Sequence, residues 1–117
     1  MTNKRTLGEN YEMLAVNYLL SQGYTVIERN FFMRGGELDL IAEKENVLCF
    51  IEVKYRRNEN AGNAAEAVTP SKIKNIVRTA RFWLFKHPAY GEHDIRFDVI
   101  AITGVKFEHI ISAFDAC

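Results

Sequence analysis

The segment Gly36-Glu37-Leu38-Asp39-Leu40-Ile41-Ala42 is followed, across the polar break Lys44-Glu45-Asn46, by Val47-Leu48-Cys49-Phe50-Ile51-Glu52-Val53-Lys54-Tyr55. Both runs read as strands, Leu38 to Ala42 and Val47 to Tyr55, and the break between them is short enough for a hairpin turn. Side chains alternate faces along a strand, so Glu52 and Lys54 share one face and Cys49, Ile51 and Val53 take the other. A two-residue loop at Glu45-Asn46 pairs Lys44 with Val47 and sets Asp39 directly opposite Glu52. A slip of one residue would send one of the two carboxylates to the opposite face.

Directly opposed side chains in such a pair have Cβ atoms roughly 4.5–5.5 Å apart, and like charges there destabilise the sheet. An opposing charge is therefore needed. A hard divalent cation, which favours carboxylate oxygens, would supply it; so would Lys54, two residues away on the same face. The plainer reading is a solvated hairpin carrying ordinary surface charges, which is what most isolated Glu-x-Lys sequences are. Three features weigh against it here: strongly apolar flanks, an aspartate in the matching run, and a further acid on the preceding helix.

That helix is predicted from Leu7, Tyr11, Leu14, Ala15, Tyr18 and Leu19, which recur at helical spacing over about four turns. Ser21-Gln22-Gly23 ends it, with glycine suited to the left-handed C-terminal position. Glu12 has Gly8 four residues before it and Ala15 three residues after it, so another element can approach its carboxylate closely. Glu9, one turn earlier, is flanked by Arg5 and reads equally well as a solvated ion pair. For Glu12 the plainer alternative is an exposed charge at the helix edge. Tyr24 to Phe32 then forms a strand, turned by Gly35-Gly36 into the hairpin.

Beyond Lys54 the chain becomes small and polar from Arg56 to Ala67, which reads as a mobile loop. A second helix starts with Thr69 as N-cap and Pro70 at the first helical position. Ile73, Ile76, Val77, Ala80, Trp83 and Leu84 make its apolar stripe, and His87-Pro88 ends it. Its charged residues are Lys72, Lys74, Arg78, Arg81 and Lys86, with no acid among them. That is a local positive face, read either as a solvated surface or as a contact for phosphates. Two more strands follow, Ile95 to Ile102 and Lys106 to Phe114, joined at Thr103-Gly104-Val105; Arg96 and Asp98 share a face there and are placed to pair.

Composition narrows the function. The 117 residues carry 15 basic and 15 acidic side chains, so any nucleic-acid surface must be local rather than global. The length fits one domain, residues 1–117, able to bury a core without disulfides. Two cysteines without a C-x-x-C motif suit a reduced, cytoplasmic setting. No apolar run is long enough to span a bilayer, and no h-region follows the basic N-terminus. Phosphate-binding glycine loops are absent, which disfavours nucleotide-driven chemistry. The three histidines show no metal-ligand spacing.

The order helix, three strands, helix, two strands resembles the restriction-endonuclease-like, or PD-(D/E)xK, nuclease superfamily, whose α/β fold has an αβββαβ core with a mixed central sheet flanked by helices. More narrowly, Gly8-x-x-Tyr11-Glu12-x-x-Ala15, Gly23-Tyr24, Arg29-Asn30, Gly36-Glu37-Leu38-Asp39-Leu40-Ile41-Ala42, Glu52-Val53-Lys54 and Lys72 resemble the bacterial YraN family, itself similar to archaeal Holliday-junction resolvases. The resemblance implies that Asp39 and Glu52, with the Val53 carbonyl, ligate Mg²⁺ or Mn²⁺, that Lys54 orients or deprotonates the attacking water, and that Glu12 completes the metal site directly or through water. The implied activity is metal-dependent phosphodiester hydrolysis by a nuclease selective for branched or flap DNA, acting as a symmetric dimer. Lys72, Lys74, Arg78 and Arg56 are the expected nucleic-acid contacts. Leu38 replaces the proline of the superfamily's name, at a position that ligates nothing. Two other readings share these residues: a nucleic-acid-binding module that does not cleave, and a protein-interaction scaffold whose charges are only surface.

Overall fold

The computed structural model describes residues 4–56, 68–104 and 106–116. The expected loop after the third strand therefore falls, from residue 57 to residue 67, outside the described residues. In chain order the elements are α1 (Lys4–Ser21), β1 (Thr25–Met33), β2 (Gly36–Lys44), β3 (Val47–Arg56), α2 (Pro70–Lys86), a 3₁₀ turn (Pro88–Tyr90), β4 (Asp94–Thr103) and β5 (Lys106–Phe114). The five strands form one sheet in sequential order, antiparallel except where β3 meets β4. A parallel pair cannot be joined by a tight turn, and α2 makes the crossover it requires. This is the mixed α/β architecture, with an αβββαβ core, that the sequence predicts.

The β2–β3 hairpin turns at Glu45 and Asn46, both with positive φ (51° and 66°). A two-residue loop of that kind matches the right-handed twist of the strands and sets their register. Pairing runs from Lys44 with Val47 to Leu40 with Ile51, the register expected from the sequence.

Each helix covers one face. On one side Ile76, Val77, Ala80 and Trp83 of α2 pack with Leu38, Ile41, Leu48, Phe50, Phe97 and Val99. Burying Phe50 alone contributes about 2–3 kcal/mol, and Trp83, fully buried, meets it edge to face at 5.9 Å. The indole Nε1 donates to Glu28 Oε1 at 2.9 Å. Thr69 caps α2 by accepting from the Lys72 amide, and Pro70 occupies the first turn, as read from the sequence. The helix lies so close to the start of β2 that a Cβ on Gly36 would sit 2.1 Å from Thr79 Oγ1. Only glycine leaves room there.

On the other side Ala15, Val16 and Leu19 of α1 pack with Leu40, Ala42, Cys49, Ile51, Ile100 and Ile102. Leu14, one of the residues whose spacing predicts the helix, is 42% exposed. Successive helical residues are rotated by about 100°, and the stripe runs through Ala15, Val16 and Leu19, which turns Leu14 outward. Gly23 takes φ +89° just past the helix, as its position suggests. Among the described residues no helix is long and apolar enough to cross a membrane.

Candidate functional site

Asp39 and Glu52 stand one rung beyond the Leu40–Ile51 pair, on the face covered by α2. Glu52 is only 6% exposed although it carries a carboxylate. Two lysines answer it: Lys72 Nζ lies 2.8 Å and Lys54 Nζ 3.6 Å from the same oxygen, Glu52 Oε1. Lys54 arrives by strand alternation. Lys72 arrives because the Thr69 cap starts α2 within a lysine side chain's reach of Glu52. Asp39 is fixed differently, accepting from the Val53 amide through Oδ2 at 2.9 Å.

These contacts pull the titrations apart. Burial pushes the Asp39 carboxyl up to about 7, helped by the Glu52 charge and opposed by the Val53 N–H. Lys54 is drawn below an ordinary lysine by burial and by its neighbour Lys72. Burial pulls Lys72 down too, but its contacts with Glu52 and Lys54 and the charges of Glu52 and Asp39 together outweigh that and leave it raised. Within one cluster there is thus an acid that resists losing its proton, an amine that releases one more easily, and an amine that stays charged.

Two carboxylates beside a main-chain strand end offer oxygen donors only, the set that Mg²⁺ or Mn²⁺ prefers. The push on Asp39 is what a bound cation would relieve, so this pair fits a metal. A third acid does not join them: among the described residues no group of three or more His, Cys, Asp or Glu side chains is placed to hold one ion. Glu12 instead accepts from Asn30 Nδ2 at 2.7 Å. Asn30 lies between the Arg29–Leu40 and Phe31–Leu38 pairs, in the rung opposite Asp39. Glu12 thus reaches the row of the acid pair through one intervening side chain, and stacking of Tyr11 on Tyr55, centroids 3.8 Å apart, draws α1 to that end of β3. Asn30 was missed as a site residue; its signal would have been an asparagine inside a strand, which adopts φ 54°.

The expected nucleic-acid contacts divide. Lys72 faces the acids. Arg78 donates to the Gly35 carbonyl at 2.7 Å and to Asn75, holding the β1–β2 turn against α2, while Lys74 is exposed. Between these elements a cavity of about 480 Å³ opens beside the site, lined by Gly36, Glu37, Thr69, Ser71, Lys72 and Asn75 among others. Arg56 is the last residue of β3, two beyond Lys54.

A separate polar cluster lies on the α1 face. Asp98, with no exposed surface, takes both oxygens to Arg96 (2.9 and 2.8 Å) and accepts from the Ser112 amide. His109 Nε2 lies 2.8 Å from Asp98 Oδ2, and Arg96 reaches on to the Tyr24 hydroxyl. The β4–β5 register shifts between Phe97 and Val99, and the irregularity frees the Ser112 amide for Asp98. The pairing of Arg96 with Asp98 is therefore part of a buried structural network.

A mixed sheet in αβββαβ order, with two acids and a lysine at the end of its central hairpin, is the restriction-endonuclease-like architecture. The chain belongs to the UPF0102 family, described as an uncharacterised protein family, whose model matches residues 11–102. This is the YraN family of the sequence resemblance. It is 50% identical over 101 residues to a UPF0102 protein of Aliivibrio salmonicida, covering 86% of this chain and 82% of that one. A UPF0102 protein of Pectobacterium carotovorum is 43% identical over 113 residues, and one of Sulfurihydrogenibium is 42% identical over 112, each covering 96% of both chains.

Proposed function

We propose that the protein is a metal-dependent nuclease that hydrolyses phosphodiester bonds, structure-selective for branched or flap DNA, in the cytoplasm, with residues 1–117 as one nuclease domain. The observation that carries the reading is half-buried Asp39 beside buried Glu52, with two lysines drawn to one oxygen of Glu52. A solvated hairpin has no reason to bury Glu52 or to bring a helix lysine onto it.

Asp39 and Glu52, with the Val53 carbonyl, would hold Mg²⁺ or Mn²⁺, and Glu12 would act from behind Asn30. Such a cation activates water and neutralises charge on a transferring phosphoryl group. Lys54, with its lowered affinity for a proton, is the residue suited to orient the attacking water and exchange a proton with it. As an ammonium it also stabilises charge that develops on the phosphate. Lys72 stays charged, keeps Glu52 in place and presents a cation to the neighbouring cavity. Lys74 and Arg78 extend the positive surface of α2 along which a phosphate backbone would be positioned. A symmetric dimer would set two such helices against one branched substrate; sedimentation that finds only monomer, with and without DNA, removes the dimer.

The test is cleavage of labelled single strand, duplex, flap and four-way junction with Mg²⁺ or Mn²⁺, with Lys54→Ala in parallel. Metal-dependent cutting that the variant loses supports the proposal. Tight binding without cutting favours the second reading, a non-cleaving nucleic-acid-binding module, to which the engagement of Glu12 by Asn30 lends weight.

A further inference from the structure

On the far side of Lys54 from α2, the sheet carries a second basic site. Arg56, Thr103 and Lys106 form one straight rung across β3, β4 and β5: Arg56 pairs with Thr103, and Thr103 with Lys106. These three, with Glu108, line a cavity of about 240 Å³. The preceding rung on the same face is Lys54, Ala101 and Glu108. The cavity thus opens on the face that bears the acid pair, one side-chain step further along β3.

Arg56 gives the cavity its character. Its Nε and Nη1 are shielded from solvent and have no hydrogen-bond partner. Buried donors are nearly always satisfied, and two of three guanidinium nitrogens left without an acceptor call for one. Arginine cannot relieve the cost by losing its proton. Thr103 adds a hydroxyl, and Lys106 a second positive charge on the same rung. Among the described lining residues, Glu108 sets one negative charge against these two positive ones.

We infer that Arg56, Thr103 and Lys106 form a phosphate subsite that grips a non-scissile phosphate of the substrate strand, next to the one at Lys54. Two residues of strand span roughly 6.5–7 Å, a length comparable to the spacing of consecutive phosphates along a nucleic-acid strand. The inference rests on the nuclease reading for the identity of its ligand, though not for the pocket itself. It orients the strand: the backbone crosses the sheet end from the α2 cavity, over Asp39 and Glu52, to the edge at β5. Arginine suits such a place because its planar fork matches phosphate geometry.

The test needs no cleavage. Nitrogen-15 spectra of the arginine Nε–H groups are followed while dimethyl phosphate, and then a short oligothymidylate, is added in EDTA. The Arg56 signal is expected to shift with both probes, and less with Lys106→Gln, a substitution at an exposed side chain that leaves the buried guanidinium in place. Lys106→Gln is also expected to weaken oligothymidylate binding severalfold and to lower the salt slope by about 0.7, one phosphate contact on a single strand. An Arg56 signal that stays still with both probes, or a Lys106→Gln protein with unchanged affinity and slope, overturns the subsite. A protein that binds phosphate at Arg56 but cuts no substrate keeps the subsite and loses the nuclease. One that cuts while the Arg56 signal stays still keeps the nuclease and loses the subsite.

Discussion

Replacing Asp39 by asparagine should stabilise the protein when divalent cations are removed, by an amount that depends on pH. An ordinary aspartate titrates at 3.8, and burial together with Glu52 raises Asp39 to about 7. Below pH 4 the carboxyl is protonated in both folded and unfolded chains, so its full contribution to stability is present. As pH rises the unfolded chain loses this proton first, and the folded state forfeits stability until pH passes about 7. At 1.36 kcal/mol per pH unit the loss has a ceiling of about 4 kcal/mol. Part of that is relieved by movement of Lys72 and Lys54 toward the new charge, so about 2–4 kcal/mol is expected at pH 8. Asparagine keeps an oxygen for the Val53 amide and carries no charge. Urea unfolding of both proteins in EDTA between pH 4 and pH 9 measures the difference. It should be small at pH 4, grow to pH 7 and then level off. An Asp39→Asn protein equal to or less stable than wild type at pH 8, or a difference that does not change with pH, would refute the reasoning.

Other consequences lie in the scaffold. Asp98→Ala leaves Arg96 and His109 beside an empty buried site and should cost about 3–5 kcal/mol in urea unfolding. Asp98 is held below an ordinary aspartate: burial opposes this, but its hydrogen bonds from His109, Arg96 and Ser112 prevail. Its stabilisation is therefore present above about pH 4 and should fade as acid titrates the folded carboxylate. Gly36→Ala drives a methyl into Thr79 and should cost about 1–3 kcal/mol, with less than additive loss when Thr79→Ala is combined with it. Glu45→Asn with Asn46→Gly places residues suited to positive φ in the hairpin turn and should add about 1 kcal/mol, read as a higher urea midpoint at unchanged slope.

Much of this arrangement was legible in the chain because it depends on near neighbours. The hairpin register follows from a two-residue turn and alternation, so the placement of Asp39 against Glu52 needed only local reasoning. The start of α2 was equally local, set by Thr69 and Pro70. What escaped depends on distant segments. Lys72 was read as a phosphate contact, and nothing near it in sequence shows that its amine also reaches Glu52 on β3. Glu12 was placed among the acids; that its carboxylate also accepts from Asn30, across a separation that no helical periodicity encodes, was not legible. The apolar repeat that includes Leu14 specifies a helix without specifying which side of it the sheet will cover, and Leu14 lies outside the covered side. The strand irregularity at Asp98, and the free amide it supplies, has no signature in the pattern of apolar residues.

The central claim is that the Asp39–Glu52 pair is a cation site serving phosphodiester hydrolysis, and calorimetric titration of Mn²⁺ into wild-type and Asp39→Ala proteins at pH 8 tests it most directly. One ion per chain, bound by the wild type and lost in the variant, is the predicted result. Binding of unchanged strength in Asp39→Ala, or no heat from either protein, would contradict it.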